Sequence, residues 1–413
     1  MNKPELLAPA GNMEKLKVAF IYGADAVYIG GSAYGLRAFA GNFSNDEIIE
    51  AARYAHKLNK KIYVTVNIFP HNNDFEGLDE YLKFLYDSKV DGIILSDPGV
   101  FMTAKKVVSK MEIHISTQVN NVNYKSAMFW HELGAKRIVL GRELTLEEIK
   151  EIRENTPDSL ELEAFIHGAM CISYSGRCLL SNYMTGRDSN RGECAHPCRY
   201  KYYIMEEKRP GQYMPIYEDD RGTYIMNSKD LCMIEHIPDV CEAGVTSLKI
   251  EGRMKSAFYV ASVVKAYRQA IDEYIQHGKE SKFNPKWLKD LNRASHRQFS
   301  TGFYYNNPGQ VYENSDYIRD YDIVGIVKDY DPINKIATIE QRNKLYKGDS
   351  VEIMSPKGDD FNLTLNTIWD ENGAEIDSTP HPQMIYKIHS AKELMPFDML
   401  VKERKEVIWR DHY

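Results

Sequence analysis

The stretch GIILSDPGVFMTAKKVVSKMEIHISTQVNNVNYKSAMFWHELGAKRIVL, residues 92–140, repeats one structural unit. Short runs rich in apolar and β-branched residues lie at 92–95, 113–117 and 137–140, and amphipathic helical patterns at 100–108 and 125–133 separate them. A strand, a helix and a further strand in this order indicate parallel pairing with right-handed crossovers. The stretch therefore predicts an α/β protein.

The same unit recurs on both sides of this stretch. Further strands are predicted at 6–8, 26–29, 61–66, 160–166 and 247–250, and further helices at 13–22, 46–58, 78–86, 146–153 and 256–276. Two helix starts carry a capping box, in which Ser44 precedes Glu47 by three residues and Thr145 precedes Glu148. Eight such units close most simply into a (β/α)8 TIM-like barrel. An open doubly wound sheet is the alternative, but APAGN at 8–12 is no Gly-rich dinucleotide fingerprint.

The sequence pattern divides the chain into three parts. They are a (β/α)8-like barrel at 1–278 that includes a cysteine-rich insertion at 169–246 after the seventh strand, a connector at 279–320, and a C-terminal domain at 321–413. The insertion is expected to contain a hairpin of 213–216 with 223–226 and a helix at 228–240. The last part alternates with period two, which predicts a small antiparallel β-barrel.

Composition limits the classes of function. The formal net charge is -7, so a nucleic-acid partner would have to meet a local basic surface. Neither a signal peptide nor an uninterrupted apolar run of about 18 residues is found, which predicts a cytoplasmic protein without a membrane partner. In that reducing compartment, clustered cysteines indicate metal ligands or catalytic thiols more readily than disulfides.

Four of the six cysteines lie close together in the predicted insertion, at Cys171, Cys178, Cys194 and Cys198. Clustered thiolates predict one soft-metal site. Their spacing suits a structural zinc ion as well as an iron-sulfur cluster, so the spacing leaves both open. Cys232 has the character of a small buried hydrophobic residue.

Polar residues follow the predicted strands, at the end of a barrel where ligands bind. The candidates are Asn67, Ser116, Gln118, Arg142, His167, Lys249, Glu251 and Arg253. Every second residue from 249 to 253 is charged, so Lys249, Glu251 and Arg253 should point to the same side. They form either a structural ion network or a set of substrate ligands. His167 is either a proton-transfer group or a hydrogen-bonded core histidine.

A family resemblance adds to these predictions. The chain resembles the signature of the collagenase-like peptidase family of unassigned mechanism at Glu163, Phe165, Gly168, Cys171, Gly176, Cys178 and Ser181. The segments IMNSKDL at 225–231 and SLKIEGR at 247–253 resemble further motifs of that family. Nearly the whole chain is similar to its branch of prephenate-dependent tRNA wobble-uridine 5-hydroxylases, and the C-terminal part resembles the extra domain of that branch.

The resemblance implies an enzyme that adds a hydroxyl to C5 of the tRNA wobble uridine without molecular oxygen, with prephenate as co-substrate. It implies a 4Fe-4S cluster on the four clustered cysteines. Some relatives take the fourth cluster ligand from near the IMNSKDL motif. Cys232 is therefore a reserve candidate for the ligand position assigned to Cys198. A paralogous protein is a further candidate partner.

Residue roles follow from the same resemblance and from charge. The catalytic candidates are His167, Glu251 and Arg253, and the substrate-binding candidates are Arg142, Lys249, Arg253, Asn67, Gln118 and Tyr174. Prephenate carries two carboxylates, for which arginine forks such as those of Arg142 and Arg253 are natural partners. Basic segments at 169–204 and 244–268 would grip the anticodon loop, whose bases would stack on Tyr174, Tyr183 or Tyr200.

Two other functions stay open from the sequence. A peptidase is the older label of the family, but the chain contains no HExxH, HxxEH or GxSxG motif. A zinc-stabilised RNA-binding scaffold without enzymatic activity is the second alternative.

Overall fold

The computed structural model describes most of the chain. The described residues are 3–35, 42–171, 173, 178, 180–187, 189, 193–197, 203–205, 213–215, 227–306, 308, 310–311 and 317–404. None of the helices in these ranges has the length and apolar character needed to cross a membrane.

Strands and helices alternate through the first part of the chain, and strands dominate the last part. The strands are β1 Glu5–Pro9, β2 Ala26–Gly30, β3 Lys61–Val66, β4 Gly92–Leu95, β5 Glu112–Ile115, β6 Arg137–Val139, β7 Glu161–Ala169, β8 Tyr203–Met205, β9 Tyr213–Pro215, β10 Asn227–Ser228, β11 Asp230–Cys232, β12 Ser247–Ile250, β13 Phe299–Ser300, β14 Gln310–Val311, β15 Tyr321–Asp331, β16 Ile336–Gln341, β17 Ser350–Met354, β18 Phe361–Thr364, β19 Ile368–Asp370, β20 Glu375–Ile376, β21 Ile385–His389 and β22 Met399–Glu403. The helices are α1 Met13–Ile21, α2 Asn45–Lys57, α3 Leu78–Asp87, α4 Pro98–Val107, α5 Tyr124–Glu132, α6 Leu146–Glu154, α7 Leu180–Thr185, α8 Ile237–Glu242, α9 Ala257–His277 and α10 Pro285–Arg293.

The first seven strands and β12 form a closed parallel barrel. Each strand from β1 to β6 pairs with the next, and β12 pairs with both β1 and β7, which closes the sheet. The strands are almost entirely buried because the helices cover the outside of the barrel. The predicted TIM-like fold is confirmed.

Both predicted capping boxes are present. The amide of Ser44 donates to Glu47 Oε2 at 2.8 Å, and the amide of Glu47 donates back to Ser44 Oγ at 3.3 Å. Thr145 and Glu148 make the same exchange at the start of α6. These boxes satisfy N–H groups that have no partner inside the helix, and so fix where α2 and α6 begin.

The insertion differs from its prediction. β7 runs on to Ala169, and its end pairs with the antiparallel β11, so a strand stands where the prediction placed the helix 228–240. Helical structure in that range begins only at Ile234, with a 3-10 turn at Ile234–His236 that leads into the short α8. β9 pairs with β8, and 223–226, the partner predicted for 213–216, lies outside the described residues. Long-range pairing decides these elements, and local sequence does not reveal it.

The segment predicted as a connector packs onto the barrel. α10 lies against α9, and β13 extends the barrel sheet through β11. The Tyr304 hydroxyl donates to the carbonyl of Phe165 on β7 at 2.6 Å. Residues that follow α9 therefore complete the end of the barrel where the strands finish.

The last part forms an eight-stranded antiparallel sheet, from β15 to β22, curled around its own apolar core. It joins the barrel through buried charges: Asp360 accepts hydrogen bonds from Lys265 at 2.5 Å and Arg293 at 2.7 Å. The Tyr22 hydroxyl also donates to the carbonyl of Phe397 at 2.9 Å. These contacts hold the sheet beside α1, α9 and α10.

Candidate functional site

A cavity of about 450 Å³ opens where the barrel strands end. Its walls include the residues Thr65, Asn67, Ser116, Gln118, Arg142, Phe165, Cys171, Cys178, Cys194, Lys249, Glu251, Arg253, Lys255 and Tyr317. The volume lies in the range of small-molecule sites. The structure thus brings together most of the residues that the sequence singled out.

Arg253 crosses the barrel mouth from the end of β12. Its Nη1 donates to Thr65 Oγ1 at 3.0 Å and its Nη2 donates to Asn42 Oδ1 at 3.3 Å. The guanidinium passes over Gly30, where an added Cβ would lie 2.2 Å from Nη1. Glycine at this position is therefore what allows the guanidinium to lie across the mouth.

Arg142 lies on the other side of β7. Its Nη1 donates to the carbonyl of Ala169 at 2.8 Å, and its guanidinium carbon lies 3.7 Å from the centre of the Phe165 ring. Stacking on an aromatic face holds a guanidinium in one orientation while leaving edge donors for a ligand. Arg142 and Arg253 therefore stand on the two strands that neighbour β7.

Lys249 belongs to an ion network inside the barrel. Its Nζ donates to Glu163 Oε1 at 2.6 Å, and Glu163 also accepts from Arg137 at 2.9 Å. Burial opposes the charge on Glu163, but attraction to Lys249 and Arg137 lowers its pKa to about 2. Burial also lowers the pKa of Lys249, and Glu163 offsets part of that effect. Lys249, which was predicted to bind substrate, is therefore already held in a structural ion pair.

His167 does not line the cavity. Its ring lies among Tyr259, Tyr267 and Phe299, and the Tyr267 hydroxyl lies 3.3 Å from Nδ1. Burial, followed by electrostatic interaction with His296 and Lys255, lowers the pKa of His167 to about 3. A neutral imidazole enclosed by aromatic rings is a core histidine, so its position does not support the predicted catalytic role. Glu251 does line the cavity, and its carbonyl accepts from the Tyr259 hydroxyl at 2.8 Å.

Three of the clustered cysteines share the cavity wall. The Sγ of Cys178 accepts from the amide of Leu180 at 3.3 Å, and the Sγ of Cys194 accepts from the amide of His196 at 3.4 Å. Amide donors of this kind stabilise sulfur ligands and tune iron-sulfur clusters. Cys171 is exposed, yet its cavity surroundings desolvate the thiol and raise its pKa. The donor set fits a thiolate-bound group.

The complete ligand set is not defined by these residues. Within the described ranges, no group of three or more His, Cys, Asp or Glu side chains lies close enough to hold a metal ion. Cys198 lies outside the described residues, as do Tyr174 and Tyr200. Cys232 is buried in β11, where its Sγ lies 3.8 Å from the Tyr267 hydroxyl, and it is absent from the cavity lining. Its position does not support the reserve ligand role.

Sequence reasoning missed several residues of the mouth, among them Thr65, Lys255 and Tyr317. Thr65 accepts a hydrogen bond from Arg253. Lys255 and Tyr317 form part of the rim, where the Nζ of Lys255 lies 4.7 Å from the centre of the Tyr317 ring. Alternation along β3 could have identified Thr65, which lies two residues before Asn67 and faces the same side. No local signal places Tyr317, because a distant segment brings it to the cavity.

Comparison with known proteins agrees with this architecture. The family model for peptidase family U32 matches residues 11–314, and the model for the C-terminal domain of that family matches residues 319–400. A Bacillus subtilis (strain 168) protein named tRNA hydroxylation protein P1 is 46% identical over 403 residues, covering 97% of this chain and 95% of that protein. An Escherichia coli (strain K12) protein named tRNA hydroxylation protein P is 39% identical, covering 92% of each chain.

A third relative carries a different name. The Methanocaldococcus jannaschii protein named uncharacterized protease MJ0090 is 40% identical over 360 residues, covering 85% of this chain and 86% of that protein. All three similarities extend over the barrel and most of the chain. The chain therefore belongs to peptidase family U32, alongside members named for tRNA hydroxylation.

Proposed function

We propose that this protein is a tRNA-modifying enzyme that adds a hydroxyl to C5 of the wobble uridine without molecular oxygen, with prephenate as co-substrate. The observation that carries the proposal is the cavity at the strand ends, whose wall contains three cysteines and two arginines. Relatives that are similar over more than nine-tenths of this chain are named tRNA hydroxylation proteins, which supports the reaction class.

The cavity residues suit a redox cofactor beside an anionic co-substrate. Cys171, Cys178 and Cys194 would hold a 4Fe-4S cluster together with a fourth ligand, for which Cys198 stays our candidate. Such a cluster, when bound, supplies electron transfer at a potential set by hydrogen bonds and burial. The amides of Leu180 and His196, which donate to two of the sulfurs, would contribute to that potential.

Arg142 and Arg253 would bind the two carboxylates of prephenate. Both guanidiniums line the cavity, and each is oriented by protein contacts before a ligand arrives. Pre-orientation lowers the entropy cost of binding, and arginine matches carboxylate geometry with paired donors. Arg142 follows β6, next to β7, whereas the Arg253 guanidinium reaches Thr65 on β3, so a dianion that spans the two arginines would lie across the mouth of the barrel.

The rim of the cavity suits an RNA loop. Lys255 and Arg297 pack on Tyr317, with the Arg297 guanidinium carbon 4.8 Å from the ring centre, and Tyr317 keeps 40% of its surface exposed. Cations beside an aromatic ring are typical of sites that bind single-stranded nucleic acid. A splayed uridine could enter the cavity here, while the basic segments at 169–204 and 244–268 contact the backbone.

A peptidase receives less support from the site. Cysteine nucleophiles require a thiol whose pKa is lowered by a neighbouring base, whereas burial raises the pKa of Cys171. The only histidine named as a catalytic candidate, His167, faces the core. A hydrolytic activity would therefore need a base that the sequence reasoning did not identify.

Nucleoside mass spectrometry tests the proposal. Cells that lack the gene should lose 5-hydroxyuridine and its derivatives from their tRNA, and any paralogous gene must be deleted as well. Restoring the wild-type gene should restore the modification, whereas Cys171→Ser should not. Cys241→Ser is the matched control, because Cys241 is half-buried and absent from the cavity lining. Unchanged 5-hydroxyuridine in the deletion strain would refute the proposal.

Metal analysis separates the enzyme from a zinc-stabilised RNA-binding scaffold. Anaerobically purified protein should be brown and contain about four irons per chain, as a 4Fe-4S cluster requires. A colourless protein with one zinc ion per chain would favour the scaffold.

A further inference from the structure

Asn67 presents a buried, unpaired acceptor at the cavity. It follows β3 directly, and its Oδ1 is buried without a hydrogen-bond partner among the described residues. Buried polar groups in folded proteins are nearly always paired, because leaving one unpaired is costly. An acceptor of this kind in the wall of a cavity indicates a ligand that brings a donor.

The backbone around Asn67 is fixed, so its amide has a defined place. The Ser96 hydroxyl at the end of β4 donates to the Asn67 carbonyl at 3.3 Å. Two residues earlier, Thr65 holds Arg253 at 3.0 Å. Side chains two residues apart on a strand face the same side, and Thr65, Asn67 and Arg253 all line the cavity, so Asn67 belongs to the same wall as the residue that holds Arg253.

Asn67 also faces the cysteine-bearing strand. In the closed order of eight strands, β3 stands four strands from β7, which is the opposite side of the barrel. β7 ends at Ala169, and Cys171 lies two residues beyond. A flat ring placed between these walls would turn one edge to Asn67 and the opposite edge to the cysteines.

We propose that Asn67 binds the N3–H and O2 edge of the uracil ring of the substrate. Its Oδ1 accepts the N3–H, and its Nδ2 donates to O2. The C5–C6 edge lies opposite that edge of the ring, so this pairing turns C5 across the mouth towards Cys171 and its neighbours. The assignment rests on the proposed function, since it takes uridine as the base that enters.

A chemical double-mutant cycle tests this contact. Anticodon stem-loops carrying uridine or 3-methyluridine at the target position are titrated into wild-type protein and Asn67→Ala, without co-substrate. Either change alone should weaken binding about 10- to 100-fold, because each leaves a buried polar group unpaired. In Asn67→Ala, 3-methylation should add less than about 3-fold, since the contact is already lost.

Further arms identify the edge and exclude a folding defect. Replacing O2 by sulfur should weaken binding to the wild type but not to Asn67→Ala, whereas replacing O4 should affect both proteins equally. Asn67→Asp keeps the acceptor and should bind with an intermediate affinity. Asn343→Ala is the matched control, because its Nδ2 donates to Ile323 in the C-terminal sheet, at 2.8 Å. The melting temperature of Asn67→Ala should match or exceed that of the wild type, since the unpaired acceptor is removed.

Several outcomes would overturn the assignment. One is an unchanged RNA affinity in Asn67→Ala, and another is a loss of affinity in the doubly changed pair that equals the product of the two single losses. A third is an effect of Asn67→Ala confined to the KM for prephenate, which would make the co-substrate the donor to Asn67 Oδ1. Since the titration requires no turnover, it is independent of the proposed reaction. Binding losses that are coupled in the cycle, together with cells whose tRNA contains no 5-hydroxyuridine that depends on the gene, would refute the proposed function alone. Gene-dependent 5-hydroxyuridine, together with binding losses that multiply independently, would refute the Asn67 contact alone.

Discussion

Removing the charge of Glu163 should destabilise the barrel strongly. The carboxylate is fully buried and accepts hydrogen bonds from Lys249 at 2.6 Å, Arg137 at 2.9 Å and Ser247 at 3.2 Å. Glu163→Gln keeps the shape of the side chain but leaves the ammonium of Lys249 buried without its counter-charge. Breaking one side of a buried ion pair typically costs about 3–5 kcal/mol.

The pKa of Glu163 gives a second measure of the same interaction. Burial alone would raise it, but Lys249 and Arg137 lower it from 4.5 to about 2. At about 1.4 kcal/mol per pKa unit, this difference corresponds to about 3 kcal/mol at neutral pH. Because the folded-state pKa is depressed, the contribution is complete above the unfolded pKa of about 4.5 and is lost as the pH falls towards 2.

Urea unfolding of four proteins measures the effect. Glu163→Gln should lower the free energy of unfolding by about 3–5 kcal/mol at pH 7, and by progressively less as the pH falls below about 4.5. The double variant Glu163→Gln, Lys249→Met should cost no more than Glu163→Gln alone, because it removes both charges. Glu154→Gln is the control, since its exposed pair with Lys150 spans 4.0 Å and should contribute less than about 0.5 kcal/mol. A greater loss in the double variant than in Glu163→Gln, or a loss below about 1 kcal/mol in Glu163→Gln, would refute the reasoning.

Three further predictions concern the site and its support. Cys232→Ser should retain the iron content of the wild type, whereas Cys171→Ser should lose the brown colour, as measured by absorbance and iron analysis. Gly30→Ala should displace the Arg253 guanidinium, whose Nη1 would lie 2.2 Å from the new Cβ. Because this weakens one charge-assisted contact, the KM for prephenate, the proposed co-substrate, should rise about 10-fold, with little change in melting temperature. Asp360→Asn should lower the free energy of unfolding by about 3 kcal/mol in urea titrations, because Asp360 neutralises two buried cations.

The barrel was predictable because its signal is local. Strands buried on both faces are continuous apolar runs, and the helices between them show a 3.6-residue period and their own caps. Ser44 with Glu47 and Thr145 with Glu148 marked two helix starts correctly. The insertion lacks such signals: β11 exists because it pairs with the end of β7, and the sequence of 228–240 alone favours a helix.

The cavity residues were predictable as a group but not in their roles. Position at the end of a parallel strand placed Asn67, Gln118, Arg142 and Arg253 at one mouth, as the structure has them. Position alone could not show that His167 faces the core, since β7 bulges in its pairing with β12 near this residue. The irregular register changes which side chains point inward, and neither periodicity nor composition encodes it.

Depth in the barrel separates two cations that the sequence had both proposed as substrate ligands, Lys249 on β12 and Arg142 after β6. Lys249 lies within the barrel, where Glu163 already matches its charge at 2.6 Å. Arg142 at the mouth instead donates to a neutral carbonyl, that of Ala169, and stacks on Phe165. The dianionic co-substrate that we propose would therefore gain more from Arg142 than from Lys249, because a cation that is already paired with a carboxylate adds little attraction for a second anion. The barrel interior thus supplies stability through paired charges, and Arg142 at the mouth has no carboxylate in the contacts described above, which suits it to the proposed anion.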